Sequence, residues 1–275
     1  MDEIFKQDVS FILEVLSKFI AGEVLKYHFQ GGVVALSGGL DSSVVAILSY
    51  KALQGKIKLL YMPHENPEGS LQDALSVAKL LSIPLEIFDL KQIANNFFSQ
   101  RNPLSPLRKG NILARLRMTA LFDTSSRDQS LVIGCSNKTE ILVGYSTWFG
   151  DTAAGILPIG DLYKTQVRNL AIHLSVPNNI IQKPPSAELW NGQTDEGELG
   201  ISYSEMDQIL YRFVDQRMNI QEIIKIGFDE NNVRKVIALT KKALYKQKMP
   251  LICKVSDRTV GLDYRYLKET SIQVE

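Results

Sequence analysis

Apolar positions recur at helical intervals across residues 2–28, where Ile4, Phe5, Phe11, Ile12, Val15, Leu16, Phe19 and Ile20 predict a covering helix that Gly31-Gly32 brings to an end. A β-branched run from Val33 to Leu36 then predicts a strand, Ser37-Gly38-Gly39 a turn, and Val44 to Leu48 a helix. Ile57 to Met62 reads as a second strand, Leu71 to Leu81 as a helix and Pro84 to Phe88 as a third strand. A short helix over 91–99, a proline-broken loop over 101–108 and a longer helix over 109–124 follow. Leu131 to Gly134 gives a fourth buried strand, with helical turns starting at Glu140. Residues 144–164 and 183–200 read as loops, and helical patterns return over 203–214, 221–226 and 230–246. Short strands alternating with helices predict an α/β fold, an open, mostly parallel sheet flanked by helices.

Composition narrows the class. With 275 residues of which 45% are hydrophobic, the chain has enough material for one large core, so a single domain over 1–275 is expected. Its 31 basic and 30 acidic residues nearly cancel, which gives no support to a nucleic-acid or membrane partner. Cys135 and Cys253 are far apart and fit no metal-ligand spacing, so a reducing, cytoplasmic setting is expected. No apolar run approaches the about 20 residues that cross a bilayer.

The chemistry concentrates around residues 33–48. Gly38 and Gly39 allow positive φ and close approach of a ligand, while Ser42 or Ser43 is available to cap a helix whose amides face an anion. Phosphate is the natural guest. The segment is no Walker A loop, since the Gly-Lys-Ser/Thr ending is missing and Asp41 stands there instead. A carboxylate beside phosphates makes sense as a ligand of magnesium, which one or two acids and a polyphosphate share. Glu140 also follows a strand's carboxyl end, the usual place for ligands in such sheets, although an acid there also reads as a helix N-terminal charge. Asn111 and Arg115, four apart on one helix face, would suit a diphosphate or simply face solvent.

Ser37-Gly38-Gly39-Leu40-Asp41-Ser42 resembles the Ser-Gly-Gly-x-Asp-Ser loop of the ATP pyrophosphatase superfamily, and three further segments narrow the resemblance. Gly110-Asn-Ile-Leu-Ala-Arg115-Leu-Arg-Met118, Gly144-Tyr-Ser-Thr-Trp-Phe-Gly-Asp151 and Pro158-Ile-Gly-Asp-Leu-Tyr-Lys164-Thr165 resemble blocks of the NAD synthetases. The resemblance covers roughly residues 30–205 and implies an adenine-nucleotide alpha-hydrolase-like fold. It implies ATP contacts at Leu36, Ser37, Gly38, Gly39, Leu40, Asp41, Ser42, Ser43, Met62, Cys135, Lys164 and Ser186. It also implies deamido-NAD contacts at Asn111, Arg115 and Lys246, magnesium on Asp41 and Glu140, and catalytic roles for Asp41, Asp151 and Lys164. Four positions depart from the family pattern: Cys135 replaces a threonine, Trp148 a lysine, Gly155 an aspartate and Tyr245 a histidine.

The implied reaction adenylates the nicotinate carboxylate of deamido-NAD with ATP, releases pyrophosphate, and lets ammonia displace AMP to give NAD. A homodimer is expected from the same resemblance, with the apolar positions around Ile112 and Leu116 available to it. Free ammonia is expected as nitrogen source, because neither cysteine is placed as an amidase nucleophile. Two rival readings are another superfamily member, such as a tRNA-modifying or GMP-forming enzyme, and a noncatalytic nucleotide-binding regulator. The absence of paired cysteines and of a basic patch weighs against the first, and retention of both acids against the second.

Overall fold

The computed structural model describes residues 8–64, 68–101, 103–186, 194–248 and 250–260. Four parallel strands, β1 (Gly31–Ala35), β2 (Ile57–Tyr61), β3 (Leu85–Ile87) and β4 (Ser130–Val132), lie in the order β3-β2-β1-β4. Register pairs Val34 with Leu59 and Val33 with Val132. Chain direction therefore reverses its progress across the sheet between β1 and β4. Ligands in open parallel sheets bind outside the carboxyl ends of the strands at such a switch point.

Helices α1 (Val9–Lys26), α2 (Leu40–Ala52) and α3 (Glu68–Leu81) precede β3. Helices α4 (Lys91–Ser99) and α5 (Pro106–Arg127) lead into β4, and α6 (Lys138–Val143) follows it. The remaining helices are α7 (Lys164–His173), α8 (Asn178–Gln182), α9 (Asp195–Leu199), α10 (Tyr203–Leu210), α11 (Ile220–Lys225) and α12 (Glu230–Ala243). Strand alternation splits the sheet's side chains between two cores. Val34, Leu59 and Leu131 pack with α2 and α7, whereas Val33, Leu60 and Val132 pack with Ala120 and Leu121 of α5. A separate core of Met206, Ile209, Ile223, Val233 and Val236 joins α10, α11 and α12, and α12 packs on α6. This second assembly carries the starts of α6 and α7 against the sheet's carboxyl edge.

Three local expectations need correction. Gly31 and Gly32 do not end the first helix pattern but open β1, because a Cβ at Gly31 would lie 2.3 Å from the Lys56 carbonyl oxygen and one at Gly32 2.5 Å from Ile133 Cδ1. Pro106 does not prolong a loop. It sits in the first turn of α5, where its missing N–H costs nothing, and the Ser105 hydroxyl accepts from the Arg108 N–H. Ser42 and Ser43 lie inside α2, whose cap residue is Gly39, so both hydroxyls turn back and donate to the Gly39 carbonyl at 3.1 and 2.8 Å. No described helix is long and apolar enough to cross a membrane.

Candidate active site

A cleft of about 620 Å³ opens at the switch point, a size typical of small-molecule sites. One wall is the loop between β1 and α2. Gly38 has φ +85°, and a Cβ there would come within 2.4 Å of the Ser70 carbonyl oxygen, so only glycine fits this turn without displacing α3. The loop closes on itself through Ser42 Oγ, which accepts from the Ser37 N–H at 3.2 Å and lies 3.0 Å from Ser37 Oγ. Leu36, Ser37, Gly39, Leu40, Asp41 and Ser42 line the cleft, while Ser43 is fully buried behind it. An anion in this loop would also meet the amino end of α2 and its dipole.

Asp41, Glu140 and Lys164 converge at the centre of the cleft. The Lys164 ammonium donates to the Asp41 carboxylate and lies 3.4 Å from Glu140 Oε1. The Lys164 side chain is only 5% exposed and the two acids 16% and 17%, so the group is a largely dehydrated ion triad. Burial pulls the Lys164 pKa down, but Asp41 and Glu140 more than offset it and hold the ammonium charged. Burial pushes the Glu140 carboxyl up, Lys164 opposes that, and the like charge of Asp41 adds to it. Asn137 ties the group together: its Nδ2 donates to Asp41 Oδ1 at 3.3 Å, and it caps α6 by a reciprocal pair with Glu140.

These two acids fit magnesium in kind, since both present oxygen and the ion completes its shell with phosphates and water. Among the described residues no third acid, histidine or cysteine joins them as a ready-made cage. Lys164 currently places its own charge between them.

Asp207 of α10 was not singled out by sequence, yet it organises this centre. It is fully buried, accepts from Thr139 Oγ1 at 2.5 Å, and accepts from the Thr165 N–H and hydroxyl at 2.8 and 2.7 Å. Thr139 Oγ1 in turn accepts from the Lys164 N–H at 3.0 Å. The residues immediately before Glu140 and after Lys164 are thus pinned to one carboxylate. Asp195 also reaches the cleft, is 4% exposed and accepts from the Tyr203 hydroxyl at 3.1 Å, which adds a further negative charge near Lys164.

The remaining expected residues divide between cleft and surroundings. Met62 lines an apolar compartment with Leu60 and Leu121, and its carbonyl accepts from Arg117 Nε at 3.2 Å. Cys135 lines the same side, where burial, then Asp41 and Glu140, push the thiol far up and keep it protonated. Ser186 lines the cleft, whereas 187–193 of the adjoining loop and 261–275 of the tail lie outside the described residues. Asn111 lines the opposite end and accepts from Thr147 Oγ1 at 2.8 Å. Arg115 is exposed and stands outside the cleft wall, with Nη2 donating to the Trp148 carbonyl at 3.0 Å. Lys246 lines the cleft and donates to the carbonyls of Gly144 and Ser146 at 2.7 and 2.6 Å. Asp151 accepts from the Thr147 N–H at 2.7 Å; crowding by the surrounding chain shifts its carboxyl upward, within the limit set by its access to solvent. Leu116 is half-buried and packs against the core between α5 and the sheet.

The departures have structural settings. Gly155 donates to the Val132 carbonyl at 2.9 Å, and a Cβ there would sit 2.4 Å from Leu131 Cδ1, so an aspartate would require the Leu131 side chain to move. Trp148 stacks on Phe149 with centroids 4.5 Å apart and meets Tyr245 edge-on at 5.5 Å, so two of the departures touch one another.

Known proteins match over most of the chain. The NAD synthase family profile matches residues 12–250. The NH(3)-dependent NAD(+) synthetase of Chlorobaculum tepidum is 44% identical over 264 residues, 95% of each chain. Among solved structures, the NMN synthetase from Francisella tularensis superposes with a TM-score of 0.81 at 32% identity, covering 90% of this chain and 99% of that one. The NH3-dependent NAD synthetase from Campylobacter jejuni gives a TM-score of 0.78 at 32% identity, covering 90% and 100%.

Proposed function

Because the chain belongs to the NAD synthase family, we propose that the cleft carries out the family reaction through the residues gathered at the switch point. The reaction is the ATP-dependent amidation of deamido-NAD by ammonia, and the enzyme is a ligase. A carboxylate is inert to amines, so its oxygen first attacks the α-phosphorus of ATP. The bond to the bridging oxygen breaks, pyrophosphate leaves with the electron pair, and ammonia then displaces AMP from the acyl adenylate.

The observation that carries the assignment is the meeting of Asp41, Glu140 and Lys164 beside the glycine loop. Asp41 and Glu140 would hold magnesium, which when bound would supply positive charge to the phosphates. Lys164 adds a fixed cation, an electrostatic rather than nucleophilic contribution. Leu36, Ser37, Gly38, Gly39, Leu40, Ser42 and Ser43 form the phosphate cradle, Met62 and Cys135 flank the adenosine, and Ser186 approaches from the far wall. Asn111 and Lys246 hold deamido-NAD, and Asp151 takes the proton that the attacking ammonia sheds. Arg115, exposed outside the wall, serves the dinucleotide from the subunit boundary of a homodimer. The cytoplasm is the working compartment.

The test is incubation of the purified chain with ATP, magnesium, ammonium and deamido-NAD, which should yield NAD and AMP in equal amounts. A parallel arm supplies nicotinate mononucleotide, because one structural neighbour is an NMN synthetase. A higher kcat/KM for the mononucleotide would replace the dinucleotide as substrate.

A further inference from the structure

Lys164 is committed to two carboxylates, and even with magnesium bound there the ion and the lysine together, less the two acids, would supply less positive charge than a departing pyrophosphate carries negative. The departing pyrophosphate needs other cations, and beside Arg117 and Lys246, which are taken up by main-chain carbonyls, Arg168 and Lys183 line the same cleft. Arg168 lies one turn beyond Lys164 on α7, which places it on the same helix face. It makes no hydrogen bond or ion pair among the described residues, whereas a guanidinium on a concave wall suits two oxygens of a phosphate at once. Lys183 follows α8 on the neighbouring wall, with its ammonium 3.1 Å from Asp73 Oδ2. Asp73 also accepts from Asn179 Nδ2 at 2.6 Å, and its Cβ lies 3.1 Å from where a Cβ at Gly38 would stand. The Lys183–Asp73 pair is therefore parked against the back of the phosphate loop, and its side chains remain 30% and 12% exposed.

We propose that Arg168 and Lys183 form a two-cation clamp that receives the β- and γ-phosphates of ATP and holds the pyrophosphate as it leaves. Asp73 keeps the Lys183 ammonium at the loop until the polyphosphate takes it over. The clamp rests on the adenylation reading above, since only cleavage between the α and β phosphates makes pyrophosphate the product. It accounts for both cations lining a cleft whose central lysine is already paired.

The test compares wild type with Arg168→Gln, Arg168→Lys and Lys183→Gln. Product inhibition by inorganic pyrophosphate and by AMP is measured in the same preparations, with KM for ATP and deamido-NAD. Both glutamine variants should weaken pyrophosphate inhibition about tenfold or more and raise the KM for ATP, while AMP inhibition and the KM for deamido-NAD stay within about twofold. Arg168→Lys, which keeps the charge and loses the fork, should fall between. Unchanged pyrophosphate inhibition, or equal weakening toward pyrophosphate and AMP, overturns the clamp. Calorimetry with pyrophosphate alone separates the two claims: if wild type makes no NAD, a pyrophosphate affinity lost in the glutamine variants still supports the clamp, and one retained there removes it.

Discussion

At the scale of single residues, the site turns on how three charges share little water. Asp41→Asn and Glu140→Gln each remove one anion from around Lys164 and one candidate ligand for magnesium, without opening a cavity. Each should lower ATP–pyrophosphate exchange in the presence of deamido-NAD by about 100-fold or more, the scale of losing one well-placed electrostatic contact. Melting temperature should change little, because the remaining carboxylate still pairs the lysine. Near-normal exchange at low magnesium in either variant would remove that residue from the metal site. These acids were legible in the sequence because each directly follows a strand and a turn, a purely local signature. Arg168 and Lys183 were not, since a cation on a helix or in a loop ordinarily faces solvent, and only the folded chain shows both lining one cleft.

At the scale of elements, the strand, loop and helix of residues 31–52 could be read directly, while the cap chemistry could not. Ser42 and Ser43 carry the right side chains for a cap but sit too far inside α2 to act as one. Asp207 was invisible for a related reason: its partners, Thr139 and Thr165, are 68 and 42 residues away, and no periodicity connects α10 to the starts of α6 and α7. Asp207→Asn replaces one of the two acceptor oxygens by an amide N–H in either orientation, leaving a buried donor unpaired at a cost of roughly 1–3 kcal/mol. Loosening both helix starts should also misplace Glu140 and Lys164. The expected outcome is an activity loss of about 10–100-fold with a raised magnesium requirement, measured well below the melting transition. A variant that melts earlier yet keeps the wild-type rate and magnesium dependence would reduce Asp207 to a folding role.

For the whole molecule, the proposed quaternary structure and nitrogen use rest on its exposed apolar positions and its two cysteines. Phe11, Val15 and Phe19 of α1 are 63%, 46% and 42% exposed and recur every four residues, an apolar stripe that a second copy would cover in the proposed homodimer. Sedimentation should give a dimer, with Phe11→Glu combined with Phe19→Glu shifting it toward monomer; a wild-type monomer fully active at high dilution would exclude the dimer. Nitrogen use follows from the two cysteines. Cys135 lines the proposed ATP half of the cleft, where burial keeps its thiol protonated and therefore a poor nucleophile. Cys253 is exposed on the segment after α12 and does not line the cleft. Neither cysteine is placed to release ammonia from an amide, so the proposed nitrogen source is NH3 from solution, in keeping with the NH(3)-dependent relatives. Ammonium has no lone pair to attack with, so kcat/KM for total ammonium should climb about tenfold per pH unit while ammonium predominates. Replotted against NH3 concentration, the same data should be flat over the range in which the protein stays folded. Glutamine freed of ammonium and given as sole nitrogen source should produce no NAD. Sustained NAD formation matched by glutamate release would require a nucleophile that this cleft does not present.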